Sequence, residues 1–152
     1  MGQDFSSSIG IIKRLLEGRP AVPRIYFGMV DVRDLADLQI RVMQDEAAKM
    51  QRFLATGGEV LSMLDVALML RRIIGKTANR VPAKQYPDWV VRLSALFNAQ
   101  AKVILPQLGV IRRSSSEKAR SLLRWRPRSY DETVTDTARS LVRQGIVKSD
   151  PA

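Results

Sequence analysis

The 152-residue chain contains no cysteine and no histidine. Without cysteine the chain can form no disulfide and no thiolate nucleophile, and the composition is compatible with the cytoplasmic location that we expect. Without histidine it can form no Ser-His-Asp triad, no imidazole general base and no histidine-ligated metal site. Several common forms of nucleophilic and metal-dependent catalysis are therefore excluded.

Long apolar runs are missing too. No stretch approaches the length needed to cross a bilayer, and residues 1–8 (MGQDFSSS) lack the charged-then-apolar pattern of a secretory signal. We therefore expect no membrane partner.

Motifs that bind a dinucleotide are also absent. The sequence has no G-x-G-x-x-G or G-x-x-G-x-x-G motif, and none of its three tyrosines is followed by lysine four positions later. Residues 75–77 (GKT) spell the end of a P-loop, but Leu70 stands where that motif needs glycine, so helix termination is the prediction. We expect no cofactor, no metal and no catalytic residue in this chain alone.

Positive charge, by contrast, is abundant. The chain has 25 Lys and Arg against 15 Asp and Glu, a net charge of +10, which permits attraction to nucleic acid, anionic lipid or phosphorylated ligands. A stretch bounded by Arg112 and Arg128 holds seven basic residues and one acid. It could bind nucleic acid with Trp125 stacking a base, but Leu122 and Leu123 favour a solvated helix with Trp125 packed beneath it. Nucleic acid is therefore the alternative partner and not the expected one.

Residues 23–58 predict a strand, a helix and a second strand. The first strand is indicated by β-branched and aromatic residues between Ile25 and Val32, and Asp34 is predicted as the helix N-cap. Residues 52–56 (RFLAT) predict the second strand, which Gly57 and Gly58 end. Such a unit normally forms a parallel pair with a right-handed crossover.

The rest of the chain predicts mainly helices. One spans residues 6–18, and another begins at a capping box of Ser62 and Asp65 and ends at Gly75. A helix after Pro87 should carry apolar residues near one face and stop at Pro106, and two S-x-x-E boxes, Ser114 with Glu117 and Ser129 with Glu132, should start the last two helices. That helix face consists of Trp89, Leu93, Leu96, Phe97 and Ile104. The sequence thus predicts about six helices and three short strands, one of which is an edge strand or extended loop near residues 80–84. Together they give a helix-rich mixed α/β fold that looks incomplete.

Several segments resemble one family when they are taken in order. Residues 27–43 (FGMVDVRDLADLQIRVM) resemble the strand-helix signature in the C-terminal half of extended short-chain dehydrogenase/reductases, which include the NAD-dependent epimerase/dehydratase family. Three further segments are similar to the bacterial branch of this family that resembles dihydroflavonol-4-reductase, namely RFLAT, LSMLDVALMLRRIIG and RVPAKQYPDWVVRLSALF. Residues 114–147 match the closing segment of that branch, "S-x-K-A-R-x-L-L-G-W-x-P-R" and a last amphipathic helix.

The resemblance implies a substrate-binding C-terminal lobe over residues 1–148, a single domain, followed by a loose tail at 149–152. In the family an N-terminal Rossmann half carries the glycine-rich loop and the Tyr-x-x-x-Lys pair. That half would be missing here, a part of roughly 100–200 residues. The full enzyme would use NAD or NADP on a carbonyl or alcohol, and this chain alone would be inactive. It could pair with a separate Rossmann half or with itself.

The resemblance also suggests substrate-binding residues. Residues 4–8 correspond to a loop near the nicotinamide and substrate, and Tyr26 and Phe27 correspond to a strand edge that lines the pocket. Phe5, Tyr26 and Phe27 would supply apolar walls, while Ser7, Ser8 and the Tyr26 hydroxyl would supply hydrogen bonds. The alternative is that the aromatic residues are core and the serines cap a helix.

Arg124 departs from the family pattern, which has glycine before the tryptophan. If that position needs a positive φ, arginine costs on the order of 1 kcal/mol there.

Overall fold

The computed structural model describes residues 7–18, 21–74 and 80–147. Seven α-helices and two two-residue strands make up this part of the chain. They are α1 (Ser7–Leu16), β1 (Tyr26–Phe27), α2 (Val32–Gln44), β2 (Leu61–Ser62), α3 (Met63–Ile74), α4 (Asp88–Ser94), α5 (Ala99–Ile104), α6 (Glu117–Leu123) and α7 (Tyr130–Arg143), with 3₁₀ helices at Glu46–Ala48 and Leu105–Gln107. The predicted helix-rich mixed α/β class is confirmed.

The strands are shorter than predicted and are partly misplaced. β1 pairs with β2, which directly precedes α3, and an isolated parallel bridge joins Val22 to Gln85 near the predicted edge strand. The prediction of a strand at residues 52–56 is wrong. Phe53 and Ala55 there pack against a hydrophobic cluster as extended chain without a ladder, because the tertiary core and not strand pairing holds them.

The chain forms two compact units, each assembled from separate stretches of sequence. Unit 1 contains Met1–Tyr26, Ser62–Val110 and Val134–Ala152, and unit 2 contains Phe27–Leu61 and Ile111–Thr133. The chain passes from one unit to the other at four points: within β1, between Leu61 and Ser62, between Val110 and Ile111, and within α7. A single domain over residues 1–148 stays a prediction, and the tail at 149–152 lies outside the described residues.

Unit 1 is built around α3. Val66, Ala67 and Leu70 on one helical stripe are fully buried. The predicted capping box is confirmed, because Ser62 Oγ accepts from Asp65 N at 3.0 Å and Asp65 Oδ2 accepts from Ser62 N at 2.8 Å. α1 contributes Ile12, Leu15 and Leu16 to the core of this unit, and α7 contributes Val134, Ala138 and Leu141. The predicted end of α3 at Gly75 lies outside the described residues.

Unit 2 is built around Trp125, whose side chain is completely buried. A cluster of Leu38, Ala48, Ala119, Leu123 and Trp125 forms its core. The structure confirms that Trp125 packs beneath a surface helix. α6 ends in a left-handed residue, Arg124, with φ 50° and ψ 31°, so the position does require the conformation that favours glycine.

Two helix starts differ from the prediction. The N-cap of α2 is Asp31 and not Asp34, because Asp31 Oδ1 accepts from Arg33 N at 2.9 Å. The N-cap of α6 is Ser116, so the predicted box of Ser114 and Glu117 is wrong. The box at the start of α7 is half formed, since Ser129 Oγ accepts from Glu132 N at 3.2 Å.

The predicted long helix after Pro87 is two helices, α4 and α5, because Asn98 caps α5 by accepting from Gln100 N at 2.8 Å. The apolar face that the sequence predicts for this stretch does not form the core. Val91 and Ala95 are buried instead, while most of the predicted residues are exposed, namely Trp89, Leu93, Leu96 and Phe97. Among the described helices, none combines the length and the apolar character needed to span a bilayer.

Candidate functional site

Unit 1 contains a cavity of about 470 Å³. α1, α4 and α5 wall it together with the extended residues 21–23, Met63 and Tyr86. The lining is mostly apolar and consists of Ile11, Arg14, Leu15, Ala21, Val22, Pro23, Met63, Tyr86, Val91, Ser94, Asn98, Gln100, Ala101, Val103 and Ile104. A volume of this size is typical of sites for small organic molecules.

Backbone hydrogen bonds fix the walls of the cavity. Val22 N donates to Lys84 O at 3.0 Å, and Tyr86 N donates to Val22 O at 2.8 Å, so the chain around Tyr86 runs beside residues 21–23. Met63 N donates to Ile25 O at 2.9 Å, which ties the start of α3 to the same segment. These main-chain contacts hold the segments around Val22, Met63 and Tyr86 together, so the backbone fixes part of the cavity wall.

The polar groups of the lining are few. Five lining residues have polar side chains, namely Arg14, Tyr86, Ser94, Asn98 and Gln100, and Ser94 Oγ already donates to Val91 O at 2.8 Å. This arrangement can hold a small apolar molecule by its body and orient one polar atom. Among the described residues, no group of three or more carboxylates could hold a metal ion.

Unit 2 contains a network of paired charges at the start of α2. Arg33 donates from Nε and from Nη2 to the two carboxylate oxygens of Asp31, at 2.9 and 2.8 Å. Arg128 Nη1 lies 3.2 Å from Asp31 and 3.3 Å from Asp34, and its Nε lies 3.3 Å from Glu132. The hydrogen bonds from Arg33 hold the pKa of the buried Asp31 carboxyl well below its usual value, although burial opposes the shift.

The carboxylates of this network hold the backbone in place, which leaves them little capacity to take part in catalysis. Asp34 Oδ2 accepts from Arg128 N at 2.9 Å, so its carboxylate holds the segment that leads into α7. Asp31 is occupied as a helix cap and as the partner of two guanidinium groups. Both carboxylates therefore serve the fold, as their place at a strand-to-helix junction suggests.

The predicted substrate-binding residues are only partly described. Phe5 lies outside the described residues. Ser7 and Ser8 begin α1, but their side chains also lie outside what the structure describes. Tyr26 and Phe27 are half-buried in β1, Tyr26 in unit 1 and Phe27 in unit 2, and neither lines the cavity. Their substrate-binding role stays a prediction.

The cavity residues were missed from the sequence. Arg14, Tyr86 and Asn98 come from three separate elements, and no motif links them. Only the parallel bridge between Val22 and Gln85 brings Tyr86 to this wall, and a single bridge has no sequence signal. The proline-containing stretch before Tyr86 was the sole hint of extended chain there.

The basic stretch offers an exposed cationic surface without a stacking ring. Trp125 is buried, and Arg120 and Arg128 donate to acceptors within unit 2, Arg120 Nη2 to Gly57 O at 3.1 Å. Stacking of a base on Trp125 would require unit 2 to open. Nucleic-acid binding by this stretch stays an alternative that would depend on phosphate contacts alone.

Comparisons with known proteins show the fold. No protein-family model matches the chain, and no curated protein matches it by sequence. Its structure matches Gre2 from Candida albicans in complex with NADPH, with a TM-score of 0.69 and 22% identity over 94% of this chain and 38% of that one. It also matches yeast methylglyoxal/isovaleraldehyde reductase Gre2 complexed with NADPH, with a TM-score of 0.70 and 21% identity over 95% of this chain and 38% of that one.

A third structure, gox2253, matches with a TM-score of 0.67 and 20% identity over 92% of this chain and 44% of that one. The chain has the fold of the C-terminal portion of short-chain-dehydrogenase-type reductases. This confirms the fold that the sequence resemblance implied. The chain spans less than half the length of the solved structures that it matches.

Proposed function

We propose that this chain is the substrate-binding portion of an NAD(P)-dependent oxidoreductase that acts on a carbonyl or alcohol. The observation that carries the proposal is the match of nearly the whole chain to about 38% of two reductases solved with NADPH. The sequence resemblance to extended short-chain dehydrogenase/reductases, in its dihydroflavonol-4-reductase-like and epimerase/dehydratase branches, supports it independently. The chain alone, without a glycine-rich loop or Tyr-x-x-x-Lys pair, is inactive in this proposal, and its location is cytoplasmic.

The cavity of unit 1 is the proposed place for the apolar part of the substrate. Its walls are mainly aliphatic, as a short-chain carbonyl compound requires, and Arg14 and Tyr86 can orient an oxygen. The family resemblance adds Tyr26 and Phe27 as proposed substrate-binding residues. The yeast neighbour is a reductase of methylglyoxal and isovaleraldehyde, which are small carbonyl compounds.

A nucleotide-binding half is the proposed partner, and α2 offers it a surface. This helix has apolar residues on two faces. Leu38 and Val42 pack on the core of unit 2, whereas Val32, Ile40 and Met43 are exposed at i, i+8 and i+11. A helix with a second apolar face is typical of an element that is buried on both sides, and the second face is exposed in the part of the chain that the structure describes.

The substrate proposal is tested by NMR titration of the isotope-labelled chain. The probe is 3-methylbutan-1-ol, the alcohol that corresponds to isovaleraldehyde, because it does not react with lysine. We expect amide shifts at residues that line the cavity, such as Ile11, Tyr86 and Asn98, and none with NADPH. Ala101→Trp, which fills the cavity, should abolish these shifts, whereas Ala99→Trp, two residues earlier on α5 and outside the lining, should not.

Shifts that survive Ala101→Trp would overturn the cavity as the substrate site. Saturable binding of NADPH, or oxidation of NADPH by isovaleraldehyde with this chain alone, would overturn the inactive substrate-binding portion. The partner proposal has its own test by sedimentation with the separately produced nucleotide-binding half of a Gre2-type reductase. Met43→Arg should leave the chain folded and abolish any complex, and a complex that persists would contradict the assigned surface.

A further inference from the structure

The first turn of α4 and the turn that follows it expose a continuous apolar face. Trp89, Leu93, Leu96 and Phe97 stand at i, i+4, i+7 and i+8, and hydrogen bonds from Leu96 N and Phe97 N keep the turn helical. Trp89 is 66% exposed, Leu96 73% and Phe97 88%. We call these four residues the α4 face.

The area of this face is large for a single short helix. The two aromatic residues alone expose about 300 Å² at these fractions, since a whole aromatic side chain contributes 150–250 Å². Leu93 and Leu96 add to it. A patch of this size is comparable to the largest apolar patch of a typical monomeric protein, and such patches are often functional.

Apart from Asp88 at the start of α4, the charged residues of α4 and α5 are positive. Arg92 is exposed and lies three residues after Trp89 and four before Leu96, on the same side of the helix. Lys102 of α5 is exposed too, and residues 89–110 contain no acid. The one neighbouring acid, Asp88, forms an ion pair with Arg24, so its charge is compensated.

These charges discriminate among possible occupants. A second copy of the chain, docked face to face, would bring two Arg92 side chains into one apolar interface and would add repulsion between two chains of charge +10. An acidic protein groove would need discrete donors to position its carboxylates, and the α4 face offers chiefly Trp, Phe and Leu. Helices that lie on an anionic bilayer typically carry aromatic and leucine residues on the face toward the acyl chains. Beside that face they carry Lys or Arg, whose long side chains reach the headgroups.

We propose that the α4 face docks on the surface of membranes that contain anionic lipid. Trp89, Leu93, Leu96 and Phe97 enter the boundary between headgroups and acyl chains, and Arg92 contacts lipid phosphate. The absence of a long apolar run, from which we expected no membrane partner, excludes a spanning helix but does not bear on a helix that lies in the surface. The site is independent of the cavity and of the proposed oxidoreductase function.

The test is binding of the whole chain to vesicles by co-sedimentation, with Trp89 as an internal probe. Vesicles of phosphatidylcholine with 30% phosphatidylglycerol are compared with pure phosphatidylcholine. We expect binding to the anionic vesicles that weakens with added NaCl, a blue shift of Trp89 emission, and quenching by brominated acyl chains. Trp125 is buried and supplies a constant background.

Matched variants separate the α4 face from overall charge. Trp89→Ser with Phe97→Ser should reduce binding by about tenfold or more, whereas Met50→Ser, at an equally exposed residue of unit 2, should not. Arg92→Glu should weaken binding several-fold more than Arg52→Glu, which makes the same change in net charge elsewhere. Circular dichroism confirms that each variant is folded.

Three results would overturn the proposal. In the first, the Trp89 and Phe97 substitutions leave vesicle binding unchanged. In the second, Arg92→Glu and Arg52→Glu weaken vesicle binding equally. In the third, the emission of Trp89 stays unquenched when the chain is bound to vesicles. A stable dimer that the same double substitution converts to monomer would assign the α4 face to self-association instead. Binding to anionic vesicles only at very low salt, with no emission shift, would reduce the effect to non-specific attraction and would equally refute the proposal.

Discussion

The indole Nε1 of Trp125 donates a hydrogen bond of 2.9 Å to the backbone carbonyl of Asp34, a residue 91 positions earlier in the chain. The same Asp34 accepts from Arg128 N through its carboxylate, so the residues just after α6 are attached twice to the first turn of α2. Trp125 also fills the centre of the unit 2 core. One side chain thus combines apolar burial with the long-range hydrogen bond that holds two distant segments together.

We expect Trp125→Phe to lower the free energy of unfolding by about 2–3 kcal/mol. The substitution removes the Nε1 donor and leaves a void where the larger indole was. Urea unfolding followed by far-UV circular dichroism measures the change. Trp89→Phe is the matched control and should stay within about 0.5 kcal/mol, because Trp89 is exposed. Equal effects of the two substitutions would contradict the anchoring role of Trp125.

Arg124→Gly should stabilise the protein by about 1 kcal/mol. Arg124 has φ 50° at the end of α6, and a side chain in this left-handed region is strained whereas glycine is not. Its backbone N–H also closes the helix by donating to Ala119 O, a contact that glycine keeps. The thermal midpoint should therefore rise by several degrees.

Arg126→Gly is the control for this prediction. Arg126 is exposed, carries the same charge and does not have a positive φ, so glycine there should be neutral or slightly destabilising. Stabilisation by both substitutions would point to relief of positive charge and not to backbone strain.

Local patterns predicted the local structure well. The box of Ser62 and Asp65 was predicted correctly because all its hydrogen bonds lie within four residues. The resembling sequences have glycine at the place of Arg124, which raised the question of a positive φ there, and the structure shows φ 50°. Gly145, with φ 67°, likewise follows the end of α7 as its residue type predicts.

Tertiary contacts decided what the sequence could not show. The S-x-x-E pattern at Ser114 did not cap α6, because the Ser116 hydroxyl is held by Thr56 O at 2.9 Å and sets a later start. Asp34 was predicted as the N-cap of α2, but its carboxylate accepts a hydrogen bond from the backbone N–H of Arg128, 94 positions later in the chain. Periodicity found the apolar face of α4 but could not tell whether anything covers it.

The cavity of unit 1 shows the same limit. Its lining comes from α1, the chain around Val22 and Tyr86, and the pair α4 and α5, which only the folded backbone brings together. The residues that resemblance suggested, Tyr26 and Phe27, lie in a strand of two residues. Sequence reasoning identified the fold more readily than the side chains that form the cavity.

Stability should fall at acid pH because of Asp31. Its pKa is lowered in the folded protein, chiefly by hydrogen bonds from Arg33, so the unfolded chain binds a proton first as pH falls. The contribution of Asp31 is fully present above its unfolded pKa, near 4, and is lost progressively below that value. Asp31→Asn should cost about 2 kcal/mol at pH 7 and should flatten the decline of unfolding free energy between pH 4 and pH 2.

Asp37→Asn is the control for the pH prediction. Asp37 forms an exposed pair with Arg41 on α2, and such pairs contribute little, so the variant should keep the wild-type pH profile and lose about 0.5 kcal/mol or less. Urea midpoints measured at several pH values provide the comparison. An unchanged slope in Asp31→Asn would show that another carboxyl controls acid sensitivity.

Gly57→Ala should destabilise unit 2 because a Cβ at residue 57 would lie 2.9 Å from Cε1 of Tyr130 and 3.2 Å from Met29 O. The backbone cannot move away easily, since Gly57 N donates to Met29 O at 2.8 Å. We expect a loss of about 1–3 kcal/mol, the usual cost of overpacking. Gly10→Ala in α1, where a Cβ meets nothing within 4 Å, should instead stabilise by about 0.5–1 kcal/mol through helix propensity.

Adding Tyr130→Ala to Gly57→Ala should cost less than the sum of the two single changes, because it removes the ring that the new methyl strikes. Strict additivity in this double-mutant cycle would show that Met29 O, and not Tyr130, excludes a side chain at Gly57.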